Sequence, residues 1–426
     1  MSPRNLLKAI LIVVTFSFAC GSQVAWAVWA PEPQSGGKYF RDKGTMSSAD
    51  YYYLGRTGTR NSEDYYYGKG LRAGILNIRP RTSYAREFDS NIFLKPSDKK
   101  TDWVNRLDSG IDVQAPLQDG KYVLYGGVQS QSEWMVHNTG SNHTNWIFQG
   151  GGQANFNHFS CSVFEDFRKT SDRSGTDFTG FNRREENYLT GLIDVPMSQV
   201  FFENEMSHYY LHFRNSSEHL NDRWELREIP RFGMDIGGRT QALVEYAITP
   251  IRYFSQTSRD GLANAPSLGI RGFLGKGDLW SYQAWGGYEN RSYDSSSKKD
   301  YNNFIARGDI RFRPSPLSEL IAEAGRRPEE AVNSTDSWVT RNDLGVRYRR
   351  KVTDYGALNV GASVGQYDFS GGRDDFFWEA LTKGEILLPG KFASIFGEYR
   401  FMQKHSNQSG NDYIDHRINF GVKMEM

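Results

Sequence analysis

The chain has 426 residues, and its 51 lysine and arginine residues nearly balance 50 aspartate and glutamate residues. This near-zero net charge excludes a strongly basic nucleic-acid-binding protein, so nucleic acid is not an expected partner. One of the two cysteines, Cys20, lies in a predicted export signal. The remaining Cys161 can form no intramolecular disulfide and no metal site built on paired cysteines.

Residues 1–27 have the features of an export signal. A positively charged start precedes the apolar run Ala9–Ala19, and Ala25-Trp26-Ala27 supplies the small residues of a cleavage site, so we expect cleavage after Ala27. The run is shorter than the ~20 residues of a membrane-spanning helix, which disfavours the alternative of an uncleaved anchor. Lipid attachment at Cys20 is a minor alternative, because the preceding residues form a poor lipobox.

Residues 28–70 are rich in Gly, Ser, Pro and Tyr and show no sustained alternation of apolar and polar residues. They contain a repeat, in which the segment Ser48–Tyr53 returns as Ser62–Tyr67 with the same Asp-Tyr-Tyr-Tyr ending. We interpret this region as a flexible periplasmic segment. The alternative is a plug or a sugar-stacking segment, because tyrosine offers a large ring face together with a free hydroxyl.

From about residue 75, apolar and polar residues alternate with a period of two, which is typical of strands with one apolar and one polar face. For example, Trp224 and Phe232 share one face, and Arg227 and Arg231 share the other. Soluble sheets show the same pattern. A mean hydropathy of −0.63 is nevertheless compatible with a membrane barrel, in which only alternate residues contact lipid.

The connections between these strands favour the membrane barrel. Short turns at residues 118–120 and 388–390 alternate with longer polar loops, as in bacterial outer-membrane barrels. The predicted longer loops are residues 171–182, 290–300, 371–375 and 405–411. About 18 strands fit between residues 71 and 426. The sequence therefore predicts an all-β protein, a transmembrane up-and-down antiparallel β-barrel over 71–426, located in the cell outer membrane.

One strand fits this pattern poorly, and one strand fits it without error. Both faces of Val200–Phe213 are mixed, so we expect this strand to extend beyond the membrane or to contain a bulge. The final strand alternates to its end and should pair with the first, near Ile78–Phe88, because a barrel leaves no open edge in lipid. The residues predicted to face lipid are Ile418, Phe420, Val422, Met424 and Met426, and those predicted to face the lumen are Asn419, Lys423 and Glu425.

The polar faces supply the candidate site residues. The lumen-facing candidates are Arg106, Asp108, Asp112, Arg227, Arg231, Asp235, Arg307, Arg311, Arg347, Arg349, Glu398 and Arg400. With Asp309 and Glu245 added, eight arginines stand against six carboxylates, and because charged rings set pore selectivity, we expect a slight preference for anionic or neutral polar solutes, including acidic polysaccharide. The alternative is that these charges pair with one another and confer no selectivity.

The search for catalytic and metal-binding residues predicts none, no cofactor and no enzyme activity. His208 and His212 would lie about 13 Å apart on one strand face, which is too far for one metal ion. His158 has no identifiable acidic partner for a catalytic triad. The neighbouring Glu203 and Glu205 are interpreted as ordinary charges of the polar face or a loop, although catalytic sets can assemble from distant strands.

The first strand and the segment after it carry a motif. Its residues are Leu71-Arg72-Ala73-Gly74, Ile78-Arg79-Pro80 and Tyr84 to Phe93, followed by an acidic loop at 95–102 and a further strand at 103–113. This pattern resembles the opening of the putative outer-membrane β-barrel porins of the second type. The resemblance implies an outer-membrane channel associated with exopolysaccharide export, whose partners are membrane lipid, the barrel insertion machinery, polysaccharide and periplasmic export components.

This sequence departs from the usual pattern of such barrels at one position. Outer-membrane barrels typically end in Phe or Trp, whereas this sequence has Met426, with Phe420 nearby. Two alternative functions remain open at this point. One is a non-transporting barrel that acts as a structural or assembly partner of a cell-envelope machine. The other is an exported soluble all-β protein, although no blade repeat of the kind found in propellers is present.

Overall fold

The computed structural model describes residues 71–118, 121–171, 181–237, 239–274, 279–315, 317–331, 336–353, 355–390 and 392–425. Within these residues, no helix is long and apolar enough to cross a bilayer. The strands are β1 (Leu71–Ala73), β2 (Leu76–Asp89), β3 (Asp102–Leu117), β4 (Tyr122–Met135), β5 (His143–Asn155), β6 (Ser160–Thr170), β7 (Arg184–Met197), β8 (Val200–Phe213), β9 (Arg223–Gly237), β10 (Thr240–Tyr253), β11 (Gly261–Leu274), β12 (Trp280–Tyr293), β13 (Tyr301–Ser315), β14 (Ser318–Glu330), β15 (Trp338–Thr353), β16 (Gly356–Phe369), β17 (Asp374–Leu387), β18 (Ala393–Ser406) and β19 (Tyr413–Glu425). Three short 3-10 turns occur at Thr139–Ser141, Ser216–Asn221 and Thr257–Arg259.

Strands β2 to β19 form a closed, 18-stranded antiparallel barrel, which confirms the predicted fold class. Each strand pairs with its neighbours in sequence, and β19 closes the ring by pairing with β2. In this pair Ile418 lies opposite Phe88, and Glu425 lies opposite Arg81. The predicted pairing of the last strand with the first is therefore confirmed, and the short β1 only extends β2 as a hairpin.

The outer surface of the barrel is apolar because successive side chains of a strand point to opposite faces. Large apolar side chains remain exposed on this surface, since no other part of the described chain covers them. They include Leu107, Ile111, Phe232, Val244, Leu268, Phe304, Ile310, Leu344, Val346, Ile395, Phe420 and Val422. Phe420 is 61% exposed, whereas the neighbouring Asn419 is 7% exposed. An apolar outer belt around a closed sheet is the arrangement that satisfies backbone polar groups in lipid.

The two ends of the barrel differ in the length of their connections. At the turn end, the connections have two to five residues, and both ends of the described chain lie there. At the loop end, the connections have four to thirteen residues and include the four loops predicted from the sequence. Three of these loops are shorter than predicted, because β12 continues to Tyr293, β17 begins at Asp374 and β18 continues to Ser406. Short turns are periplasmic in bacterial barrels.

The mixed strand β8 contains no bulge, so this one of the two expected explanations was wrong, and its extension beyond the membrane stays a prediction. Its pairing with β7 and with β9 runs without a register shift. The irregular pattern has a different cause: apolar Phe201 and Leu211 are buried on the inner face, while polar Asn204 and His208 lie on the outer face. Each face therefore mixes polar and apolar residues although the backbone ladder is regular.

The predictions for the N-terminal part fall outside the described residues. These are the export signal 1–27, its cleavage after Ala27, and the repeat-containing segment 28–70. Met426 also lies outside them.

Candidate functional site: the barrel interior

All twelve lumen-facing candidates lie on the face of their strands opposite to the apolar outer surface. The inner side is identified by contacts between strands that are not neighbours. Arg307 of β13, for example, forms an ion pair of 3.0 Å with Glu245 of β10. Two strands lie between β10 and β13, and such side chains can meet only on the concave side of the wall. The role of the twelve residues in lining a conducting path remains a prediction.

A buried group of six charged residues, which we call the central cluster, lies inside the wall formed by β8 to β13. Arg231 is 3% exposed, and its guanidinium lies 2.8 Å from Glu205 and 2.9 Å from Glu245. The members are Glu203, Glu205, Arg231, Glu245, Arg271 and Arg307. Three arginines therefore balance three carboxylates in a region with little access to water. Glu203 and Glu205, which we had interpreted as ordinary polar-face charges, are 6% and 7% exposed.

Aromatic rings cover two arginines of the central cluster. The guanidinium of Arg271 lies 4.9 Å from the ring centre of Phe201, and that of Arg307 lies 4.6 Å from the ring centre of Trp285. Both rings lie against glycines of a neighbouring strand, because a Cβ atom at Gly233 or Gly269 would overlap them. The cation–π contacts and the flat rings hold these guanidiniums close to the wall.

A second buried group, the loop-end cluster, is centred on Glu330. Its carboxylate oxygens lie 2.6 Å from the Arg291 guanidinium and 2.6 Å from the Tyr253 hydroxyl. Tyr293 donates a further hydrogen bond of 3.0 Å to the same carboxylate. Arg259, which is fully buried, lies 3.7 Å from Glu330 and donates to the Asn221 side chain at 3.0 Å. Arg259 also donates a hydrogen bond to the Ala331 carbonyl, so these contacts join three of the loop-end connections to one another.

Arginines recur around the loop end, and each is held by a carboxylate two residues away, on the same strand except for Arg373, which directly precedes β17. Residues i and i+2 share a strand face about 7 Å apart, a distance that an arginine side chain spans. These loop-end arginines and their partners are Arg168–Asp166, Arg184–Glu186, Arg223–Glu225, Arg291–Glu289, Arg327–Glu329, Arg341–Asp343, Arg373–Asp375 and Arg417–Asp415. These arginine–carboxylate pairs were not predicted as a group, although the sequence contains a repeated Arg-x-acid or acid-x-Arg spacing.

Most of the predicted lumen arginines are also paired with carboxylates, either on the same strand or on another strand. Arg106 lies 2.7 Å from Glu133, and Arg400 lies 3.3 Å from Glu398. Among the described residues, Arg227 and Arg347 have no ion-pair partner. Both side chains are half-buried on the inner face. Charge pairing, the alternative left open by the sequence, therefore accounts for much of the interior but not for these two positions.

Two of the histidines considered in the sequence analysis are on the outer face, not in the lumen. His208 and His212 belong to the set of β8 residues opposite to buried Glu205 and Leu211. His212 lies near the loop end of the strand. There it meets His219 and Asp222, which belong to the following connection. From the sequence, His212 was considered only together with His208 on the same strand. The residues of the following loop that lie beside the end of the strand were not considered.

Part of the chain is similar in sequence to a known family. Residues 249–426 match the family model described as putative beta-barrel porin 2. The match confirms the resemblance predicted from the sequence over β10 to β19, whereas the motif that suggested it lies in the opening strand. Together with this match over part of the chain, the closed barrel and its apolar outer surface place the protein in the outer membrane. No curated protein matches the chain.

Solved barrel structures resemble the chain at low sequence identity. Pseudomonas aeruginosa OccK2 is 8% identical, with 82% of this chain and 98% of that chain covered and a TM-score of 0.47. Pseudomonas aeruginosa OpdL is 10% identical over 83% and 99% of the two chains, with a TM-score of 0.46. Acinetobacter baumannii OccAB3 is 10% identical over 83% and 100%, also with a TM-score of 0.46. Similarity at this level carries no functional argument.

Proposed function

We propose that this chain is a channel that passes polar solutes across the outer membrane and prefers acidic ones, including acidic exopolysaccharide. The observation that carries the proposal is the arrangement of arginines around the loop end of a closed barrel. Arginine and lysine rings select anions in pores. A barrel of 18 strands is in the size class that encloses an aqueous channel when side chains do not fill it.

Paired arginines can still contact a solute. A guanidinium has five N–H donors, and an ion pair with one carboxylate uses only some of them. Alternating guanidinium and carboxylate groups also match the donor and acceptor hydroxyls of sugars. Arg227 and Arg347, which have no ion-pair partner among the described residues, would add the preference for negative charge. The more specific proposal, a link to exopolysaccharide export, rests on the family resemblance.

The channel proposal is tested by conductance in planar bilayers. We expect the folded, full-length protein to produce discrete ion-conducting steps, because the interior is polar and charged along its length. Heat-unfolded protein is the matched control and should produce none. Acidic oligosaccharides added to one side should block the current at lower concentration than neutral oligosaccharides of equal length. Equal blocking by both would contradict the preference for acidic polymers but not the channel itself.

A non-transporting barrel is the second candidate, and the central cluster favours it. Ion pairs between β8 and β11 and between β10 and β13 occupy part of the interior. If the folded protein inserts into bilayers and carries no current, this candidate replaces the channel. Its proposed role would be that of a structural partner in the cell envelope. Neither proposal involves catalysis.

Replacing both Arg227 and Arg347 with glutamine is expected to lower the anion preference of the channel. These two guanidiniums have no ion-pair partner among the described residues, so their positive charge acts on the permeating ions. Reversal potentials in a salt gradient measure the preference. A double variant of outer-face arginines, Arg86→Gln with Arg326→Gln, removes the same charge and should leave the reversal potential unchanged. An identical shift in both double variants would exclude a local effect in the lumen.

A further inference from the structure

Three side chains with metal-binding atoms converge at the loop end of β8, outside the lumen. His212 is near the end of β8, His219 belongs to the 3-10 turn Ser216–Asn221, and Asp222 follows that turn. The Nδ1 atom of His212 lies 2.7 Å from Asp222 Oδ2, and the Nδ1 atom of His219 lies 2.9 Å from the same oxygen. In the described part of the chain, no other group of three such side chains converges this closely.

The local backbone explains the convergence. The 3-10 turn reverses the chain directly after β8, so His219 returns beside His212, with 5.1 Å between the ring centres. The other carboxylate oxygen of Asp222, Oδ1, accepts a hydrogen bond of 2.7 Å from the backbone N–H of Phe213. This bond fixes the carboxylate while Oδ2 remains directed at both rings. Hydrogen bonds to a ligating carboxylate are a common feature of metal sites, where they orient the ligand.

We propose that His212, His219 and Asp222 bind a divalent transition-metal ion, with Zn²⁺ as the best fit. Two imidazole nitrogens and one carboxylate oxygen are typical zinc ligands at about 2.0–2.2 Å, and a three-residue set leaves a fourth position for water. Mg²⁺ and Ca²⁺ prefer sites made of oxygen atoms only. Ligand atoms of a tetrahedral zinc site are separated by about 3.3 Å. Each observed contact would therefore lengthen by about half an ångström, which the two partly exposed imidazoles can accommodate by rotation.

Metal binding replaces the protons that the two rings share with Asp222. In the protein as described, both Nδ1 atoms lie within hydrogen-bond distance of one oxygen, and with neutral rings each Nδ1–H donates to it. When a metal ion binds at Nδ1, the remaining proton of each neutral imidazole is on Nε2. The ion would join the connection 214–222 to the end of β8, because one ligand comes from the strand and two from the connection. Glu185 lies opposite His212 in the pairing of β7 with β8, and its carboxylate forms an ion pair with Arg214.

Zinc titration of the full-length folded barrel, prepared without an affinity tag and stripped with a chelator, tests the site. Isothermal titration calorimetry should show one Zn²⁺ bound per chain and no comparable binding of Mg²⁺. His212→Ala and His219→Ala should each weaken Zn²⁺ binding at least about 100-fold, since even the partners of ligands change affinity by about 10–100-fold. Absence of Zn²⁺ binding by the wild-type barrel overturns the proposal.

His137→Ala is the matched control. His137 also lies at the loop end and contacts a carboxylate, Asp102, at 3.2 Å, but no second histidine of the described ranges joins the pair. This variant should bind Zn²⁺ as the wild type does. If His137→Ala weakens binding as much as His219→Ala, the ion is held non-specifically and the proposal is wrong. All variants should keep the SDS-resistant folded form, which shows that the barrel itself is intact.

Proteolysis supplies a readout that does not depend on calorimetry. Arg214, at the start of the connection, is exposed and offers a trypsin cleavage site. At Zn²⁺ concentrations ten times the dissociation constant, opening of the connection should be suppressed about tenfold, and cleavage after Arg214 should slow by the same factor. The His219→Ala variant should show no Zn²⁺ effect on cleavage. A Zn²⁺ effect of equal size in wild type and variant contradicts the proposed ligand set.

Discussion

Phe420→Asp is expected to reduce the amount of folded protein in the outer membrane at least tenfold. Phe420 is 61% exposed on the outer face of β19, opposite Arg86 of β2. Replacing this lipid-facing ring with a carboxylate costs about 3 kcal/mol, a large part of the stability of a typical domain. The position is also critical for closure, because a failure of β19 to pair with β2 leaves backbone polar groups without partners in lipid.

The heat-modifiability of the protein on SDS gels measures this effect in outer-membrane fractions. The folded barrel should migrate anomalously without heating, and the variant should lack this form. Asn359→Asp is the matched control, because this half-buried side chain lies on the interior face of β16, opposite Arg349 and Lys383. It introduces the same carboxylate on the polar face of the wall and should retain most of the folded form. A normal yield of Phe420→Asp would contradict the assignment of this face to lipid.

Arg231→Met is expected to destabilise the folded barrel by about 3–5 kcal/mol. Arg231 lies between Glu205 and Glu245, with Glu203 at 3.8 Å, and the methionine variant leaves three carboxylates with only two arginines. Removing one partner of a buried ion pair has a large effect because the remaining charge is neither solvated nor compensated. Methionine has a similar length and keeps most of the packing.

Urea unfolding of the barrel reconstituted in lipid vesicles measures the change in the free energy of unfolding. Arg347→Met is the matched control, because it removes an inner-face arginine that has no ion-pair partner among the described residues. Its effect should be well below 1 kcal/mol. Equal destabilisation by the two substitutions would show that the central cluster makes no special contribution. In a double variant with Glu205→Gln, part of the loss caused by Arg231→Met should be recovered, because Glu205 has no other ion-pair partner among the described residues, whereas Glu203 keeps Arg271 and Glu245 keeps Arg307.

The general architecture could be predicted from the sequence because its signal is local. A strand that separates lipid from a polar interior must alternate with period two, and this alternation survives in each segment separately. For this reason the approximate strand number, the inner face of Arg307 and the pairing of β19 with β2 were all predictable. The mixed strand β8 was the exception. Its inner face also buries Phe201 and Leu211, so the alternation of polarity is obscured although the backbone is regular.

The barrel, its closure and, outside β8, the face of the predicted lumen charges could be read from local sequence, since these follow from a two-residue period and from the need to pair every backbone group in lipid. Which charges meet depends on the folded wall. Arg307 and Glu245 are 62 residues apart, and the curvature of the closed wall brings them together across two strands. The return of the connection after β8 likewise places His219 beside His212. Such contacts depend on barrel curvature and loop path, which no local pattern of residues encodes.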